Sequence, residues 1–163
     1  MSTFCNADLL DKYDNDRTIQ VAQPLFTHYG SKCQFSGLIK TLDAFEDNTK
    51  VRKLLEGPGD GHVLVVDSKG STRFAMLGDQ LALLAVQNNW AGVLIHGCLR
   101  DSAIIKTLPI GVMALNTCPR KSVKQQKGTV DVELNFAGVS FRPGEYIYAD
   151  EDGVLVTEKP LDI

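Results

Sequence analysis

The segment from Gly78 to Asp101 constrains this chain more than any other. It reads Gly-Asp, a leucine- and alanine-rich run, Trp-Ala-Gly-Val-Leu-Ile-His-Gly-Cys-Leu, and then Arg-Asp. The spacing predicts a helix from Asp79 to about Asn89, because Leu81, Leu84 and Ala85 recur three and four apart with no Pro or Gly among them. Ala91 to His96 is a short apolar run with Val and Ile, closed by Gly97, and predicts a buried strand. A helix of about ten residues rises roughly 15 Å, and a strand of about six covers roughly 20 Å. If the strand returns alongside the helix, the two lengths nearly cancel. Asp79 then meets Arg100 and Asp101 at one edge of the fold.

That edge has a chemistry. A helix N-terminus offers free N–H groups and partial positive charge, which suit an anion. Gly78 allows close approach to the backbone. Arg100 can grip a carboxylate through two parallel hydrogen bonds. Asp79 and Asp101 are hard oxygen ligands of the kind Mg²⁺ takes one or two at a time, with water completing its shell. The expectation is a metal-dependent site for a small carboxylate. The plainer alternative uses the same residues: Asp79 caps a helix, and Arg100 and Asp101 lie in a surface loop.

Length and charge narrow the classes. A chain of 163 residues is expected to form one domain, 1–163, with a sizeable core. A net charge of −3 carries no electrostatic footprint for nucleic acid or an anionic membrane. Cys5, Cys33, Cys98 and Cys118 form no Cys-x-x-Cys pair, and the N-terminus resembles neither a signal nor a transit peptide, so a reduced cytoplasmic chain is expected. Cys98 reads as a small buried filler. No apolar run is long enough to cross a bilayer.

The rest of the chain reads as strands and short helices early and as strands in its last third. A short helix is expected within 3–15, with Thr3 and Asn6 as candidate caps. A strand is expected over Cys33–Ala44 with a close approach at Gly37, and a helix over Thr49–Glu56 behind Asn48 as cap. Gly57-Pro58-Gly59-Asp60-Gly61 is a turn; it precedes a strand and lacks the Lys-Ser/Thr ending of a phosphate loop. His62–Asp67 is the clearest strand. Further strands are expected over Ile110–Leu115, Thr129–Phe136, Val139–Phe141, Tyr146–Ala149 and Val154–Thr157. Pro119–Gly128 reads as a solvated basic loop, without the aromatics of an RNA-binding surface. Asp150-Glu151-Asp152-Gly153 reads as a hairpin turn, too short for a calcium loop. His28, His62 and His96 show no metal-ligand spacing; His96 reads as a packed strand-end residue or a group one step behind the site. The pattern argues an α/β domain with a mixed sheet.

Gly78-Asp79, twenty residues, then Arg100-Asp101 resembles the signature of the class II 4-hydroxy-4-methyl-2-oxoglutarate aldolases. Phe45-Glu46-Asp47-Asn48, Val63 to Asp67, Leu84-Ala85-Val86-Gln87-Asn88, Tyr148-Ala149-Asp150 and Pro160-Leu161-Asp162-Ile163 resemble the RraA proteins, regulators of ribonuclease E activity. The match runs from about Leu9 to the C-terminus. The resemblance implies a swivelling β/β/α-type domain, ring-shaped homotrimers, with stacking into dimers of trimers left open, and a divalent cation, Mg or Mn. It implies that Arg100 binds the carboxylate of a small 2-keto acid and that Asp101 holds the metal. Gly78, Asp79, Gln80 and Leu81 would complete the substrate site, with Asp79 reaching water on the metal. Two activities are implied: aldol cleavage to two pyruvates, and oxaloacetate decarboxylation through the same pyruvate enolate. The other implied role is a non-catalytic regulator that docks on a ribonuclease E-type protein. The enteric regulators lack the Gly-Asp and Arg-Asp pairs, and both pairs are intact here. The longer aldolases carry a C-terminal extension with an acidic residue for a neighbour's site; this chain stops at Ile163, which leaves the proton-transfer group open.

Overall fold

The computed structural model describes residues 3–163. In chain order the elements are α1 (Asn6–Lys12), β1 (Gln20–Val21), β2 (Thr27–His28), β3 (Phe35–Asp43), α2 (Thr49–Leu55), β4 (Val63–Asp67), α3 (Asp79–Gln87) and β5 (Gly92–Leu99). Then come α4 (Ser102–Ile105), β6 (Gly111–Thr117), β7 (Thr129–Val130), β8 (Leu134–Phe136), β9 (Val139–Phe141), β10 (Tyr146–Ala149) and β11 (Val154–Thr157).

Strands β3, β4, β5 and β6 lie side by side and parallel. Each step between them carries a helix, α2, α3 and α4 in turn, as parallel connections require. Antiparallel strands complete the edges: β10, β11 and β1 beyond β3, and β2 beyond β6. The sheet is therefore mixed, as the sequence pattern predicts.

Alternation along the central strands sends side chains to two cores. Leu64, Val66, Val93, Ile95 and Val112 pack against Val51 and Leu55 of α2 and Leu81, Ala82 and Ala85 of α3. Val63, Val65, Leu94 and Met113 pack on the other side against Phe136, Val139, Phe141, Ile147, Val154 and Val156. The layers are helix, sheet and a second β layer, a β/β/α arrangement. Because both faces of β4 are covered, all five of its residues are buried, which explains its unbroken apolar run.

Strand β3 serves both β layers. Its first half, Phe35 to Leu38, pairs with β10 and its second half, Ile39 to Asp43, pairs with β4. Gly37 sits at the changeover, where an added Cβ would lie 2.2 Å from the Gly61 carbonyl oxygen. The close approach predicted there is real.

Several local expectations change. Strand β5 does not close at Gly97 but continues to Leu99 through a register irregularity between Ile95 and Cys98. The strand expected over Thr129–Phe136 splits into β7 and β8, with Asp131 between them at φ 61°. Helix α4, of four residues, is too short to leave a periodicity. Asn6 is not a cap: Cys5 holds that position, and Asn6 Nδ2 donates to the Tyr148 and Gly153 carbonyls at 3.1 Å each. Among the described residues, no helix is long and apolar enough to cross a membrane.

The Gly37 contact is with backbone, which cannot rotate away. Gly37→Ala should lower unfolding free energy by roughly 1–3 kcal/mol, read as a lower urea midpoint at unchanged m-value. An unchanged midpoint would mean that the β3–Gly61 approach is looser than described.

Candidate active site

Two separated segments meet through their backbones. Ala75 to Leu77 lie beside the end of β5: Met76 N–H donates to the Cys98 carbonyl at 2.8 Å, and Arg100 N–H donates to the Leu77 carbonyl at 2.9 Å. The residues that follow, Gly78 and Asp79, start α3, while Arg100 and Asp101 leave β5. The Asp79 amide donates to Asp101 Oδ2 at 3.2 Å, and Arg100 Nε stands 3.8 Å from that oxygen.

Gly78 has an extended backbone, φ −125° and ψ −174°, that any residue adopts. A side chain there would instead push the Asp101 carboxylate aside. An added Cβ would lie 2.8 Å from Asp101 Oδ2 and 3.6 Å from Arg100 Nε. Asp101 itself takes the left-handed conformation, φ 59° and ψ 35°, and its carbonyl accepts from the Ile104 and Ile105 amides at 3.0 Å each to start α4. That turn faces its carboxylate back across the glycine.

The Ala82 amide is the first of α3 to bond back, to the Gly78 carbonyl at 3.0 Å. The amides of Gln80 and Leu81 thus belong to the open first turn, where an anion is favoured. All six residues predicted from sequence, Gly78, Asp79, Gln80, Leu81, Arg100 and Asp101, line one cleft of about 120 Å³.

Sequence reasoning missed the opposite lip. Asn48, Arg52, Lys121 and Lys124 also line the cleft. The basic loop expected to be solvated is tied down by Asp47, whose Oδ2 accepts the Gln125 and Lys127 amides at 2.7 and 3.2 Å. Burial pushes the Asp47 carboxyl up, but bonds from Thr49 and these two amides outweigh it and leave its pKa below the ordinary value. Asp47 also holds the start of α2 through Thr49, the capping task expected of Asn48. Asn48 Oδ1 instead accepts from Lys124 Nζ at 3.1 Å. The density of lysines at 121–127 was the available signal. Four cations and two carboxylates now line the cleft, a balance that suits an anion.

The donor set also fits a divalent cation. Asp101 Oδ2 takes the Asp79 amide, which orients the carboxylate. The glycine opposite keeps clear the space that a Cβ would fill. Mg²⁺ and Mn²⁺ accept one or two carboxylates with water in their remaining positions.

His96 belongs to a different network. Its Nδ1 lies 2.8 Å from Asp67 Oδ1, and its ring stacks on Phe136 at 4.5 Å and 8°. His96 is thus a packed residue, as one alternative expected, but it lies inside β5 and not at its end. Burial raises the Asp67 pKa, but the bonds from His96 and Lys69 outweigh it and the net shift is downward. Cys98 is buried behind the site, and burial pushes its thiol pKa up, consistent with an inert filler.

The layered fold and this cleft define the class, and the chain belongs to the RraA-like family: the family model described as RraA-like, Aldolase/RraA, matches residues 6–156. The "Putative 4-hydroxy-4-methyl-2-oxoglutarate aldolase" of Aromatoleum aromaticum is 53% identical over 158 residues, covering 97% of this chain and 98% of that one. A Geobacillus kaustophilus structure, described as an S-adenosylmethionine: 2-dimethylmenaquinone methyltransferase, shares 54% identity at a TM-score of 0.91, covering 97% of both chains. The RNA-processing inhibitor RraA from Thermus thermophilis shares 42% identity at a TM-score of 0.93, covering 99% of this chain and 96% of that one.

The Asp67 network makes a pH prediction. A carboxylate with a depressed folded pKa contributes stability that is present above its unfolded value, about 3.9, and is lost as pH falls through the folded value. Asp67→Asn should therefore show a smaller drop in urea midpoint than wild type between neutral pH and about pH 3. Equal drops would remove Asp67 from the acid response.

Proposed function

We propose that this chain, as one RraA-like domain over 1–163, is a divalent-metal-dependent lyase. It cleaves 4-hydroxy-4-methyl-2-oxoglutarate to two pyruvates and decarboxylates oxaloacetate, both through a pyruvate enolate. The observation that supports this most is the convergence of Arg100, Asp79, Asp101 and the first-turn amides of α3 on one cleft. The aldolase names of relatives near 50% identity agree with it.

Arg100 grips the carboxylate next to the keto group by donating two parallel N–H bonds from one edge of its guanidinium. The Gln80 and Leu81 amides complete that cradle. Lys121, Lys124 and Arg52 offset the second carboxylate of the substrate across the cleft. Mg²⁺ or Mn²⁺ held by Asp101 supplies, when bound, Lewis acidity that stabilises negative charge on the keto oxygen. In aldol cleavage the bond between C3 and C4 breaks, its electrons pass to the enolate, and the C4 hydroxyl proton must leave. Asp79, at the cleft edge with Oδ2 near Gln80 Nε2 at 3.3 Å, holds the water that carries that proton away. In decarboxylation carbon dioxide departs instead and no such base is needed, so decarboxylation asks less of this chain.

The assembly that goes with this reading is a ring-shaped homotrimer, two of which can stack as a dimer of trimers. Phe45 and Val123, both more than 40% exposed, line a groove of their own on the side of the basic loop and offer apolar area for such an assembly. The cytoplasm is the proposed compartment.

A second reading has its own support. The Thermus relative is named as an RNA-processing inhibitor. On that reading the chain docks on a ribonuclease E-type protein and the cleft is not used. The methyltransferase name gains less, because a sulfonium donor carries positive charge and the cleft is lined mostly by cations.

Pyruvate release from both substrates decides between enzyme and regulator. With Mg²⁺ or Mn²⁺ present pyruvate should appear, and EDTA should stop it; an inert wild type in either metal favours the regulator. Arg100→Lys loses the bidentate grip and should lower kcat/KM by roughly 10- to 100-fold. Asp101→Asn should raise the metal concentration needed for half-maximal activity by about tenfold or more, and an unchanged requirement would reject Asp101 as the ligand.

A further inference from the structure

The start of α1 and the β10–β11 turn come together with chemistry that the Arg100 cleft does not use. Asp150 is buried in that turn. Its Oδ2 accepts the Asn6 amide at 2.7 Å, and its Oδ1 accepts the Asp152 and Gly153 amides at 2.9 and 3.2 Å. These bonds orient the carboxylate; Oδ1 is filled by two amides, and Oδ2 keeps a second acceptor direction. Cys5 Sγ and one oxygen from each of Asp150 and Asp152 all lie within 4.8 Å of one another.

A separate observation points to a cation. Among the described residues no Lys or Arg pairs with Asp150, Glu151 or Asp152, so this run of three carboxylates, one of them buried, lacks a protein counter-charge. A second thiol, Cys33, borders the same cavity without joining the three close ligand atoms. Cys33 and Cys5 line one cavity of about 410 Å³ with Asp150 and Asp152. Their neighbours hold them there: Gln34 Oε1 accepts the Phe4 amide at 3.3 Å, and Gln34 Nε2 donates to the Phe4 carbonyl.

We propose that Cys5, Asp150 and Asp152, with water completing the coordination, bind a thiophilic divalent cation of the zinc class. Thiolate and carboxylate ligands sit about 2.0–2.3 Å from zinc, so ligand atoms settle about 3.5 Å apart. Exposed Asp152 and half-buried Cys5 can close that gap without moving Asp150. As the metal–sulfur bond forms, the Cys5 thiol gives its proton to solvent and no electron changes hands. Sulfur selects the ion: this site takes zinc-like metals, whereas the all-oxygen Asp101 site takes Mg²⁺ or Mn²⁺. The bound ion would clamp the start of α1 to the β10–β11 turn. The two sites share no lining residue.

The test titrates the metal-free full-length chain with Co²⁺ and with Cd²⁺ and follows thiolate-to-metal charge-transfer absorption. Wild type should give the band, saturating at roughly one equivalent per chain. Cys5→Ser should lose it, Asp152→Asn should bind about tenfold more weakly, and Asp101→Asn should keep it. Added Zn²⁺ should raise the Tm of wild type but not of Cys5→Ser. No band in wild type, a band that persists in Cys5→Ser, or an equal Tm shift in both proteins overturns the site. None of these readouts depends on pyruvate release, so this proposal and the lyase reading fail separately.

Discussion

The backbone seam between Ala75–Leu77 and Cys98–Arg100 is the contact on which the cleft depends. Two amide–carbonyl bonds, Met76 to Cys98 and Arg100 to Leu77, bring the chain entering α3 against the chain leaving β5. The seam exists because β4 and β5 run parallel in register, Val63 opposite Gly92 through Asp67 opposite His96. A parallel pair forces a crossover, and here that crossover contains α3. The sheet order thus sets the distance between a helix start and a strand end, and the side chains only use what the backbone has arranged. Gly78 leaves room at the seam, and Asp101 turns back into it.

Much of this arrangement was legible because it rests on local patterns. Leu81, Leu84 and Ala85 announce a helix and Ala91 to His96 a strand, so their lengths could be compared before any contact was known. The turn at Asp150–Gly153 and the close approach at Gly37 were readable for the same reason. The missed features depend on long-range partners. Lys121 and Lys124 reach the cleft because Asp47, nearly eighty positions earlier, binds the Gln125 and Lys127 amides. Asn6 looks like a cap in sequence but is drawn into the sheet edge by the Tyr148 and Gly153 carbonyls. The break at Asp131 is a backbone event in a stretch whose side chains still alternate. Periodicity reports which face is buried; it does not report which loop another part of the chain will hold.

Three different names sit on relatives of this chain: an aldolase on a sequence relative, and a methyltransferase and an RNA-processing inhibitor on solved structures. A shared scaffold cannot decide among them, because function resides in the site. The cleft's own chemistry bears on the choice: a helix start, a guanidinium and the lysines opposite suit an anionic ligand.

Asp101 adds an evolutionary consequence. Its left-handed backbone is one that Asn, Asp and Gly adopt readily and that branched residues resist. The residue at this position therefore meets two separate demands, one of charge and one of backbone shape. A lineage released from the first is still bound by the second. Drift towards Asn or Gly would keep the backbone that starts α4 while taking the carboxylate out of the cleft, a short mutational route to the same fold with a different site.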